Sequence, residues 1–97
     1  MPSITVTGQQ NGPNQIGVGL MNNDNVAYQQ ITLSYLYEFN GVPTNVQVYS
    51  GPIAANQALP FPTVAVPGPN TYTFQAVLFF GGQFPTFPPG GLPIVVT

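Results

Sequence analysis

Apolar and polar residues alternate with a period of two along most of the chain, and a helical spacing of three and four takes over nowhere. Residues 3–7 set Ile4 and Val6 on one face. Residues 15–21 set Ile16, Val18 and Leu20 on one face and Gly17 and Gly19 on the other. Glycines inside such a run point to a bulge or to the close approach of another backbone. The longest alternation is 28–39, with Ile31, Leu33, Tyr35, Tyr37 and Phe39 on one side and Thr32, Ser34, Leu36 and Glu38 on the other. Val46 and Val48 mark a strand within 44–50, and residues 62–66 a short one. Residues 71–80 align Tyr72, Phe74, Ala76, Leu78 and Phe80, and 92–97 end the chain as a strand. Turn signals stand between these runs at 22–25, at Asn40-Gly41 and at 67–70. Residues 51–61 read as a connection, and 81–91 as a long loop carrying Phe84 and Phe87.

About seven short strands, with turn signals every 8–12 residues or so, predict an all-β fold: a single antiparallel β-sandwich domain spanning 1–97. A small jelly roll, which needs about eight strands, is the alternative. The most specific stretch is Pro67-Gly68-Pro69-Asn70-Thr71-Tyr72-Thr73-Phe74. With the strand count, it resembles immunoglobulin-like and fibronectin-III-like modules. The resemblance implies a tyrosine corner, in which the Tyr72 hydroxyl bonds back to the backbone and Phe74 faces the core. The Cys…Trp…Cys signature of true immunoglobulin domains is absent, since the chain has neither residue.

Charge changes the picture most. The 97 residues include no Lys, Arg, His or Cys, and two acidic residues, Asp24 and Glu38. Phosphate neutralisation needs cations, so no nucleic-acid partner is expected. Polybasic attachment to anionic lipid falls on the same ground. No apolar run approaches the length of a spanning helix, so no membrane insertion is expected. Residues 1–15 lack a basic end and an apolar run, so no signal peptide is expected. Without His, Cys or Lys the usual bases and nucleophiles are gone, and Ser3, Ser34 and Ser50 have nothing to activate them. The chain therefore reads as no enzyme and as carrying no cofactor. The oxygen-rich turn at 22–25 reads as a β-turn rather than a metal site, because calcium usually asks for several carboxylates.

A protein with two carboxylates and no basic side chain gains little charge in acid, where ordinary proteins become strongly positive and repel themselves apart. Its polarity comes from nine Asn and nine Gln with Ser and Thr. This composition is similar to that of structural proteins of acidophilic archaea and their viruses. The expectation is a repeated subunit of a virion surface or capsid-associated assembly, at the virion or extracellular surface, with copies of itself and other structural proteins as partners. A pilus, filament or surface-layer subunit of an acidophile, and a carbohydrate-binding or adhesive module, are the alternatives. The candidate subunit contacts are Phe84 and Phe87, in their proline-stiffened loop, and Ile94 and Val96 on the last strand. The bland alternative has the two rings plug the sandwich and the terminal strands close it. Sheet edges are normally blunted by lysine; here Pro2, Pro43, Pro62 and Pro93 are the evident guards.

Overall fold

A computed structural model describes residues 3–97. The alternating runs become seven strands: β1 (Ile4–Gly12), β2 (Gln15–Asn22), β3 (Tyr28–Phe39), β4 (Val42–Ile53), β5 (Ala58–Ala65), β6 (Asn70–Leu78) and β7 (Thr86–Val96). They form two antiparallel sheets, ordered β1-β2-β5 and β4-β3-β6-β7. The inward residues of both make one hydrophobic core. Ile16, Val18 and Leu20 come from one sheet; Ile31, Leu33, Tyr35, Tyr72, Phe74, Ala76 and Leu78 come from the other. The period of two is thus the period of burial. The chain is an all-β sandwich.

Turn chemistry sets the register. Asn40 and Gly41 both take positive φ, 52° and 78°, as a two-residue hairpin requires. Pro13 and Asn14, the latter at φ 56°, turn β1 into β2. Gly17 is where the pairing of β2 with β5 slips. Over it the Asn11 amide reaches from β1 to the Pro62 carbonyl of β5, so a Cβ there would meet the Asn11 side chain first and the β5 backbone behind it.

Two stretches differ from expectation, for one reason. Residues 51–61 are mostly strand, because β4 runs on to Ile53 and β5 begins at Ala58. Residues 86–91 are strand as well, the first part of β7. Prolines hid both. β4, β5 and β7 are edge strands, where the missing N–H can face solvent at no cost. Seven prolines lie within strands (43 and 52 on β4; 60 and 62 on β5; 88, 89 and 93 on β7), and the interior strands β2, β3 and β6 carry none. Pro2 lies outside the described residues. In β7 four residues, 88–91, stand opposite the single Gln75. Gly90 and Gly91 take φ of 82° and 84° there, and a Cβ on Gly91 would fall 2.4 Å from Thr73 Cγ2.

Candidate functional site: two apolar poles

β3 outruns the core at its far end. Tyr37 is half-buried and Phe39 leaves the sandwich. The hairpin returns through Val42, and the 67–69 turn between β5 and β6 closes over the same end. That turn is held from two sides. The Tyr72 hydroxyl donates to the Gly68 carbonyl at 2.6 Å and accepts from the Gly68 N–H at 3.4 Å. The Asn70 amide donates to the Glu38 carbonyl at 2.9 Å. Between turn and hairpin lies a cleft of about 620 Å³, walled by Tyr37, Phe39, Val42, Pro67, Pro69 and Tyr72. Asn40 and Thr44 add its polar groups.

The opposite pole carries a projecting hairpin. Phe80 and Gln83 exchange backbone hydrogen bonds at 3.1 and 3.0 Å across Gly81-Gly82, making a tight hairpin. The Phe79 N–H donates to the Gln30 carbonyl near the start of β3 at 3.1 Å, which anchors the hairpin. Phe84 stacks edge-on against Phe79 at 5.0 Å, and Phe80 against Tyr28 at 5.6 Å. Beneath them the 22–27 turn is built on fully buried Asn22, whose amide donates to the Val26 and Ala54 carbonyls at 2.8 and 3.1 Å. Asp24 Oδ2 accepts from the Tyr28 hydroxyl and the Ser3 N–H, both at 2.7 Å. Those bonds, the tyrosine's first, hold the Asp24 carboxyl below its ordinary range. Burial above all, and then the Asp24 carboxylate, push the Tyr28 hydroxyl up to about 12. Burial also raises Tyr35, with Tyr37 and Tyr72 beside it adding to the effect.

Both poles leave apolar surface in water. Phe79, Phe80 and Phe84 are 45%, 46% and 63% exposed, and Phe39 and Val42 are 66% and 62%. The sequence-predicted contacts divide accordingly. Phe84 stands at the convex tip. Phe87 does not: it pairs with Ala76 in β7 and packs against the core. Ile94 and Val96 lie inside the chain's own core. They are 5% and 2% exposed, because the alternation of β7 turns them inward and leaves Val95 facing solvent. Phe39, Val42, Phe79 and Phe80 were missed. A signal existed for the last pair, since two adjacent phenylalanines cannot both face inward in a strand. Phe80, expected inward with Leu78, is the one displaced when β6 ends at Leu78.

The two carboxylates stand at opposite poles. Glu38 lies ten residues along β3 from Tyr28, the partner of Asp24, which is roughly 33 Å at about 3.3 Å per residue. Paired-carboxylate hydrolysis works over about 5–10 Å. Against known proteins, the chain matches no family model, no curated protein and no solved structure.

Proposed function

We propose that this chain is a non-enzymatic structural protein, one repeated subunit of a virion-surface or capsid-associated assembly that meets acid. The observation that carries the reading is an inversion of the aromatics. Four of the seven phenylalanines, Phe39, Phe79, Phe80 and Phe84, face solvent, while Tyr28, Tyr35 and Tyr72 are buried. The more apolar ring is outside, in clusters at the poles, and such clusters mark contact surfaces. Nothing cationic accompanies them, so the partner is a neutral protein surface rather than a polyanion. The near absence of titratable groups supports an acid-facing setting, and the separation of Asp24 from Glu38 supports a role without catalysis.

A four-stranded sheet in which β4 follows β3, and a three-stranded sheet of β1, β2 and β5, supports an immunoglobulin-like module whose fourth strand stays on the sheet of the third, as in variable-type sandwiches. The Tyr72–Gly68 bond at the β5–β6 corner supports it further.

Electron microscopy of native material, with antibody against the chain, tests the setting. Regular labelled particles are expected, and label confined to dispersed monomers would overturn the proposal. Sedimentation of the purified chain tests self-association: oligomers growing with concentration are expected, and Phe79→Ser with Phe84→Ser should weaken their formation by roughly tenfold or more without unfolding the monomer.

A further inference from the structure

We infer that copies join pole to pole, the phenylalanine hairpin of one copy seating in the Tyr37–Tyr72 cleft of the next. The inference rests on the assembly reading above and names its contact. The hairpin projects Phe79, Phe80 and Phe84, whereas the Tyr37–Tyr72 cleft is concave and has room for phenylalanine rings in its roughly 620 Å³, about twice the 300 Å³ depression beside Tyr28 at the tip's own pole. A convex tip meeting another tip would leave both clefts empty, so the complementary surface for the tip is the cleft.

Charge agrees. No ionised group lines the cleft. Glu38 alternates to the other face of β3 from Tyr37 and Phe39 and is exposed in a neighbouring shallow depression, which shares Tyr37 and Asn70 with the cleft. Asp24, near the tip, is engaged by Tyr28 and Ser3. Neither surface therefore has to desolvate an unpaired charge to meet the other.

Area sets the strength. The three tip rings together expose about one and a half phenylalanines, roughly 300 Å² at ~200 Å² per ring. A standard interface buries about 800 Å² per partner. The rings thus supply the apolar centre of a contact, and the Asn- and Gln-rich turns around both poles supply its polar rim. Each link is weak and shows at high protein concentration. Because tip and cleft are different surfaces, the contact is heterologous and propagates as an open thread or closes as a ring. The repeat along a thread should not exceed the 39 Å length of the molecule.

Complementation tests this. A tip variant (Phe79→Ser with Phe84→Ser) and a cleft variant (Phe39→Ser with Val42→Ser) are each sedimented alone and mixed in equal amounts. Every changed residue is exposed, so both should fold, which melting curves check. Each alone should weaken self-association by roughly tenfold or more. The mixture should form dimers that grow no further, one intact tip in one intact cleft. If the cleft variant assembles like the parent while the tip variant does not, tips meet tips or another surface and this inference fails, though assembly stands. If the parent stays monomeric at millimolar concentration, the assembly reading itself fails. If the cleft variant assembles normally and the parent's cleft residues respond to neutral oligosaccharides in an NMR titration, the cleft is a sugar site and the inference fails. Dilution of labelled parent gives a second reading: the Phe84 and Val42 amide signals should shift together, and movement of one without the other would overturn the pairing.

Discussion

Replacing Tyr72 by phenylalanine removes one oxygen and keeps the ring. The ring is buried, with centroids 5.7 Å from Tyr35 and 5.1 Å from Tyr37, so packing survives. What is lost is the 2.6 Å donation to the Gly68 carbonyl and the long 3.4 Å acceptance from its N–H. Gly68 is half-buried in a surface turn, so water can replace part of the lost bond. The cost should be about 1 kcal/mol rather than the larger penalty of a sealed, unpaired group. In a chain of this length that lowers Tm by roughly 4–8 °C. Calorimetric melts of the parent, Tyr72→Phe and Tyr35→Phe measure it. Tyr35 is the control: it is equally aromatic and buried, but its hydroxyl bonds no protein group among the described residues, and its loss should cost under about 0.5 kcal/mol. The same Tyr72 change loosens the 67–69 wall of the cleft, so association should weaken along with stability. Equal losses for the two variants, or a Tyr72→Phe melt within ~1 °C of the parent, would refute the idea that the corner bond holds this pole together.

Three other outcomes follow from particular atoms. Gly90→Ala meets nothing within 4 Å but must hold φ near 82°, so it should cost about 1–2 kcal/mol by chemical denaturation; Gly91→Ala should cost more, because its Cβ also meets Thr73 Cγ2, and equal costs would refute the steric part. Stability should be asymmetric in pH. Folding raises the Tyr28 pKa from about 10 to about 12, so the stability it contributes is whole below pH 10 and lost as pH rises toward 12, with Tyr35 acting in the same sense. Asp24 works the other way: its depressed pKa contributes stability above the usual carboxylate range, lost as pH falls through the folded value. Melts at pH 2 and pH 7 should nevertheless agree within ~10 °C, while those above pH 10 fall away, and a tyrosinate absorbance titration without a late component near 12 would contradict the Tyr28 assignment. Finally, Pro60→Thr with Pro62→Thr restores two N–H groups to edge strand β5; light scattering should rise at neutral pH in a chain that still melts cooperatively, and unchanged scattering would count against edge protection by proline.

The interior strands were legible because their pattern is unbroken. β2, β3 and β6 carry no proline; β2 and β6 bury the side the period assigns, and β3 does so at Ile31, Leu33 and Tyr35. The edge strands were less so. Pro52, Pro60, Pro88 and Pro89 read as punctuation, yet an edge needs hydrogen-bonding groups on one side only, so the strand continues through them. The cleft was not legible at all. Tyr37 and Tyr72 are 35 residues apart and meet because Leu36 pairs with Thr73, a register the sequence does not state. The tip was half legible. Phe84 could be picked out by its loop, but Phe87 could not be separated from it without knowing that β7 begins at Thr86.

The absence of lysine has a structural answer in this fold. Of the four edges, β4, β5 and β7 carry prolines. The fourth, β1, has neither proline nor charge, and its inner face packs against β7. Ile94 of β7 lies against Gly8, where a Cβ would meet Ile94 Cδ1 at 2.4 Å. The Gln10 amide accepts from the Thr97 N–H at 3.0 Å and donates to its carbonyl at 3.1 Å, standing in for a strand's own groups. Lateral pairing through three of the four edges is therefore obstructed without a single cation. No comparable device protects the poles, where the phenylalanines lie open. Uncharged sandwiches would ordinarily stick by their edges, as unguarded strands do. Guarding three edges while leaving the ends apolar would steer any association toward the poles. Under the assembly proposed above, that restriction would separate a thread or ring of copies from an amorphous aggregate, and would favour the pole-to-pole contact over strand pairing through β4, β5 or β7.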